Sequence, residues 1–103
     1  MIVVSRHRGT IEYVKMFFPD AEVIEHLTDV NDIPRGSIVI GNLPITLINR
    51  ILERGCRFIY VSLNIPKEMR GRELSIEELD KYIEFIEIKR LELEKTDLSY
   101  IKR

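Results

Sequence analysis

Two short segments gather side chains suited to an anion. Ser5-Arg6-His7-Arg8-Gly9 sets two guanidinium groups and an imidazole behind the apolar run Ile2-Val3-Val4. Arg70-Gly71-Arg72-Glu73 repeats the theme, two arginines about a glycine, with Glu73 able to orient one of them. Arginine forks match phosphate oxygens two bonds at a time. His7 is a natural proton carrier near neutral pH, as a general base or a general acid. Gly9 lets a ligand approach the backbone closely. If a helix follows it, that helix's free N–H groups and partial positive charge add to the attraction. Each segment alone also reads as a solvated charged turn, the second with a local Arg–Glu pair. Two arginine–glycine loops in one small chain are harder to set aside.

The other polar candidates are less specific. Asn42, before Leu43-Pro44, is a helix-start residue or a ligand contact. Ser62 and Asn64 close an apolar run and could bond a ligand or the local backbone. His26 reads as a structural or surface histidine within a strand, and Cys56, after a helix-ending glycine, as core packing. Tyr13, Phe17 and Phe18 fit a core or a dimer face better than a base-stacking platform. No glycine-rich nucleotide fingerprint or P-loop is present. No His, Cys or acidic residues have metal-ligand spacing, so neither a metal nor a cofactor is expected. No Ser-His-Asp arrangement can be assembled with any specificity.

These residues need a scaffold. Residues 2–5 suit a buried strand. Thr10 is a candidate cap for a helix whose apolar face carries Ile11, Val14 and Phe18, with Pro19-Asp20 ending it. Residues 22–27 read as a second strand, 28–37 as a polar connection and 38–41 as a third strand. Pro44 and Gly55 bracket a helix with the stripe Ile45, Ile48 and Leu52. Residues 57–63 make a fourth strand, and 64–74 a loop holding Arg70-Gly71-Arg72-Glu73-Leu74. Ser75-Ile76-Glu77-Glu78 has the form of a capping box. Alternation through 85–94 favours a fifth strand there, with a continuous helix to about residue 95 as the rival. Strands alternating with helices predict an α/β fold, a small Rossmann-like three-layer sandwich with a mainly parallel sheet. Loops 5–9, 41–44 and 62–74 would then leave the carboxyl ends of strands, where such sheets bind ligands.

Composition narrows the function class. The 103 residues are expected to form one domain. Sixteen Lys and Arg against seventeen Asp and Glu give a net charge of −1, which weighs against a broad face for duplex nucleic acid and leaves room for a small basic pocket. The lone cysteine precludes a disulfide framework, no run approaches bilayer length, and no signal segment opens the chain. A soluble protein of a reducing cytoplasm is the expectation. High charge with no glutamine and abundant isoleucine is a profile common in thermophiles.

The ordered set SRHRGTIEY, IVIGNLP and ERGCRFIYVSLNIPKEMRGRELSIEEL resembles the type III CRISPR-associated accessory family called Csx-sixteen, over residues 5–79. Arg8 stands where that family often has proline, and Thr46 and Asn64 where it often has histidine and aspartate. The resemblance implies a fold related to the CRISPR-associated Rossmann domains that sense cyclic oligoadenylate, and a metal-independent ring nuclease that degrades this messenger. A ribose 2′-hydroxyl would attack the adjacent phosphate, leaving linear products with a 2′,3′-cyclic phosphate. The resemblance then implies His7, Arg6 and Arg72 as catalytic groups. Ser5, Arg8, Gly9, Asn42, Ser62, Arg70, Gly71 and Glu73 would bind or shape the ligand. Ring symmetry further implies a two-fold homodimer with the ligand on its axis. A protein that only captures the ring, and an accessory interaction subunit, are the alternatives.

Overall fold

The structure, a computed structural model, describes residues 1–101. Five strands form one sheet: β1 (Ile2–Val4), β2 (Glu22–Ile24), β3 (Ile38–Gly41), β4 (Arg57–Leu63) and β5 (Ile83–Ile88). Their spatial order is β2-β1-β3-β4-β5, parallel throughout except for the antiparallel β4–β5 pair. The mainly parallel α/β architecture expected from the alternation of elements is the one observed.

Helices cover both faces, and the side-chain alternation of each strand follows. Ile2, Val4, Val39 and Phe58 point to the face covered by α2 (Ile45–Glu53), meeting Ile48 and Ile51. Val3, Ile40 and Val61 point to the opposite face, where Val14 of α1 (Arg8–Phe17) meets them. β1 is apolar at every position because it is central and covered twice. α3 (Ile76–Tyr82) packs beside α1 and plants the fully buried Leu79. α4 (Leu98–Ile101) is a single exposed turn. Two 3₁₀ turns, Val30–Asp32 and Lys67–Met69, occupy the connections.

Several boundaries move, each for a physical reason. α1 starts at Arg8 with His7 as its cap, rather than at Thr10: the His7 imidazole reaches the Thr10 N–H, while Thr10 itself is buried. β2 ends at Ile24, so Glu25 and His26 leave the sheet. β5 occupies 83–88 instead of 85–94, because β4 supplies no partner beyond the Phe58–Ile88 pair. The rival continuous helix is overturned: α3 stops at Tyr82 and the chain passes straight into β5. Pro44 and Gly55, by contrast, bracket α2 as expected, Gly55 with a φ of +78°.

Candidate functional site

The strand order reverses direction between β1 and β3, and a cleft of about 580 Å³ opens there, at the carboxyl ends of the strands. Ser5, Arg6, His7 and Thr10 wall one side, Glu25 and His26 another, and Gly41, Asn42, Leu43 and Pro44 a third. Gly41 makes the floor feasible. A Cβ there would stand 2.5 Å from the Val4 carbonyl oxygen, so only glycine lets β1 and β3 meet at this point.

The loop after β1 is fixed by its own side chains. Ser5 Oγ accepts the His7 backbone N–H at 3.0 Å. His7 Nδ1 accepts the Thr10 backbone N–H at 3.1 Å and lies 2.9 Å from the Thr10 hydroxyl. A backbone N–H can only donate, so Nδ1 is unprotonated and the neutral ring carries its proton on Nε2. A Cβ on Gly9 would come within 3.1 Å of His7 Cε1, so glycine gives this imidazole its room.

The same logic fixes the second histidine. Arg6 Nη2 lies 3.2 Å from His26 Nδ1, and a guanidinium has no acceptor, so His26 accepts there and also carries its proton on Nε2. Arg6, His7 and His26 thus bring three donors to one cleft. Glu25 is the one carboxylate on its wall. Asn42 donates its amide to the Val61 carbonyl at 3.1 Å, tying the β3 loop to β4.

The remaining expected residues lie elsewhere. Arg8, Gly9 and Glu73 line a neighbouring hollow of about 320 Å³, with Glu12, Leu74 and Leu79, and His7 borders both hollows. Arg72 makes a two-pronged bond to Glu78, at 2.6 and 3.5 Å. Glu78 in turn accepts the Ser75 N–H at 3.0 Å, and these partners, Arg72 first, hold its carboxyl below the usual carboxylate range. Arg70 and Gly71 are exposed on the same loop, outside the cleft wall. Ser62 stands opposite Glu84 in the β4–β5 ladder, between the cleft residues Val61 and Leu63. Of the expected residues, the structure thus brings the β1 loop and Asn42 to this cleft, together with His26, read from the sequence as structural, and Glu25, which was not singled out. Their one local signal was a His–Glu pair closing a short strand.

No helix among the described residues is long and apolar enough to cross a membrane. No curated protein and no solved structure matches the chain significantly. A family model does match, over residues 2–92, and its description reads "Putative CRISPR-associated protein (Cas_VVA1548)". A match that takes in every element from β1 to β5 shows that the chain belongs to this CRISPR-associated family.

Proposed function

We propose that this protein is a ring nuclease that binds a cyclic oligoadenylate, cyclic tetra-adenylate foremost, and opens it, ending the signal of a type III CRISPR response in the cytoplasm. The observation that carries this reading is the convergence of Arg6, His7 and His26 as donors at the switch point of a CRISPR-associated chain. The resemblance to the Csx-sixteen family supplies the ligand class.

The reaction is intramolecular and leaves the protein little covalent work. The ribose 2′-oxygen bonds to phosphorus, the bond from phosphorus to the 5′-oxygen breaks, and the products are linear with a 2′,3′-cyclic phosphate. The cleft holds the in-line geometry and stabilises charge on the phosphoryl oxygens. Arg6 and the Nε2–H groups of His7 and His26 act as donors to those oxygens. Both Nδ1 atoms are already engaged, so Glu25 takes the 2′-hydroxyl proton, and the departing 5′-oxygen, on the opposite side of the phosphorus, takes its proton from solvent. The ring extends over His7 into the second hollow, where Arg8 and Gly9 contact further phosphates, with Ser5, Asn42 and Glu73 on the walls. Arg70, Gly71 and Arg72 approach it from the exposed loop that leads into Glu73.

The test is incubation of purified protein with cyclic tetra-adenylate in EDTA, resolving products by chromatography. Linear products with a cyclic phosphate end are expected. Tight binding with an intact ring favours capture without cleavage, a reading that draws on Thr46 and Asn64 where the family often has histidine and aspartate. No binding at all would leave an accessory interaction subunit and sink both.

A further inference from the structure

The order of the strands divides the cleft at the switch point into two unlike halves. The loops after β1 and β2, on one half of the sheet, bring Arg6, His7, Glu25 and His26 to it. β3, β4 and the chain after β3, on the other half, bring Leu43, Pro44, Leu47, Val61 and Leu63, with Asn42 the one polar side chain among them. Val61 is buried while Leu43, Leu47 and Leu63 are half-buried, so this half is an apolar bed still open to a ligand.

Asn42 is not spent on the helix that follows it. Pro44 stands at the start of α2, which has no side-chain cap bond. The Asn42 amide instead donates through Nδ2 to the Val61 carbonyl at 3.1 Å. An amide oxygen could not stand there against a carbonyl oxygen, so this contact sets which way the amide faces. It uses one N–H. The second N–H and Oδ1 have no hydrogen bond to another described residue. Together they are the fork with which asparagine takes a base that offers an amino group beside a ring nitrogen, as adenine does. An amide already held by Val61 also has little freedom left to lose on binding.

We infer that the apolar half of the cleft seats an adenine base and that Asn42 sets its specificity, Oδ1 accepting from the 6-amino group and the free N–H donating to a ring nitrogen beside it. A nucleotide is divided as the cleft is, into an anionic phosphate and a base with apolar faces. Arg6 and the two imidazoles take the phosphate at one end, while Leu43, Leu47 and Leu63 cover the base at the other. The cleft's volume of about 580 Å³ falls within the roughly 300–1,000 Å³ of small-ligand sites. Cytosine also offers an amino group beside a ring nitrogen, so the choice of adenine rests on the proposed function. The two halves of the cleft and the free fork of Asn42 do not.

Isothermal titration calorimetry of the full chain tests this with four-membered rings built on 2′-deoxyribose, which lack the attacking hydroxyl and stay intact. The adenine ring should bind about 10-fold more tightly than a ring of unsubstituted purine, which differs only in lacking the 6-amino group. Asn42→Ala should weaken both and bring them to equal affinity. Loss of the Val61 tie alone would loosen the loop for both ligands and leave the ratio standing, so the ratio reports base reading. Asn42 is exposed, and the far-UV circular dichroism of the variant should match the parent. A parent chain that binds the two rings equally overturns the inference, as does an Asn42→Ala variant that keeps the preference. The same comparison between 5′-AMP and purine riboside 5′-monophosphate separates the inference from the proposed function. A chain that binds neither ring yet prefers 5′-AMP through Asn42 loses the proposed function and keeps the base seat. One that binds none of the four ligands loses both.

Discussion

His7 holds two posts. Through Nδ1 it caps α1, and its ring borders the cleft, so a substitution there disturbs both unless the two are separated. His7→Ala removes the cap and should lower stability by about 1 kcal/mol, together with a roughly 10²–10³-fold loss of ring opening. Asn is among the strongest caps, so His7→Asn should restore the thermal midpoint and leave the rate low. Full activity in His7→Asn would show that capping was the whole role. Glu25→Gln should keep or tighten ring binding and slow cleavage by about 10²–10⁴-fold, measured by single-turnover kinetics. The Arg-His-Arg cluster was legible because its members are adjacent. His26 was not, because its partner Arg6 is twenty positions away and the strand thought to hold it ends at Ile24.

Among the elements, α3, like α2, has a start that the sequence spelled out. Ser75 accepts the Glu78 N–H at 3.1 Å and Glu78 answers at the Ser75 N–H, as the hydroxyl–glutamate spacing required. What the spacing did not reveal is Arg72, which clasps the same carboxylate from outside the box. That carboxylate's depressed folded-state value fixes the sign of a pH effect. Its contribution is complete above the ordinary carboxylate range and disappears as pH falls through the lowered folded value. Amide protection at the start of α3, taken relative to the intrinsic exchange rate at each pH, should therefore fall on acidification, and Glu78→Gln should flatten that dependence. An α3 equally protected at pH 7 and pH 3 would contradict it. β5 shows the opposite case. Alternation ran on through Glu94, but a strand also needs a neighbour, and β4 begins at Arg57.

For the whole molecule, alternation of strands and helices was enough to foresee the mainly parallel sheet, whose carboxyl edge carries the cleft. The reversal of β5 was invisible, because it shows only in the pairing with β4, Ile83 opposite Leu63 and Ile88 opposite Phe58. That reversal follows a junction with no connecting residue: α3 ends at Tyr82 and β5 starts at Ile83. Such a joint has no slack. The loop bearing Arg70 and Arg72, the helix whose Glu78 Arg72 clasps and the edge strand bearing Phe85 run on as one unit, with the fully buried Leu79 at its middle. If the loop takes a phosphate as proposed, the load on it should be felt at the far edge of the sheet. Two glycines inserted between Tyr82 and Ile83 would act as a clutch: the ring would still be held, and the change in β5 amide exchange on ring binding would vanish.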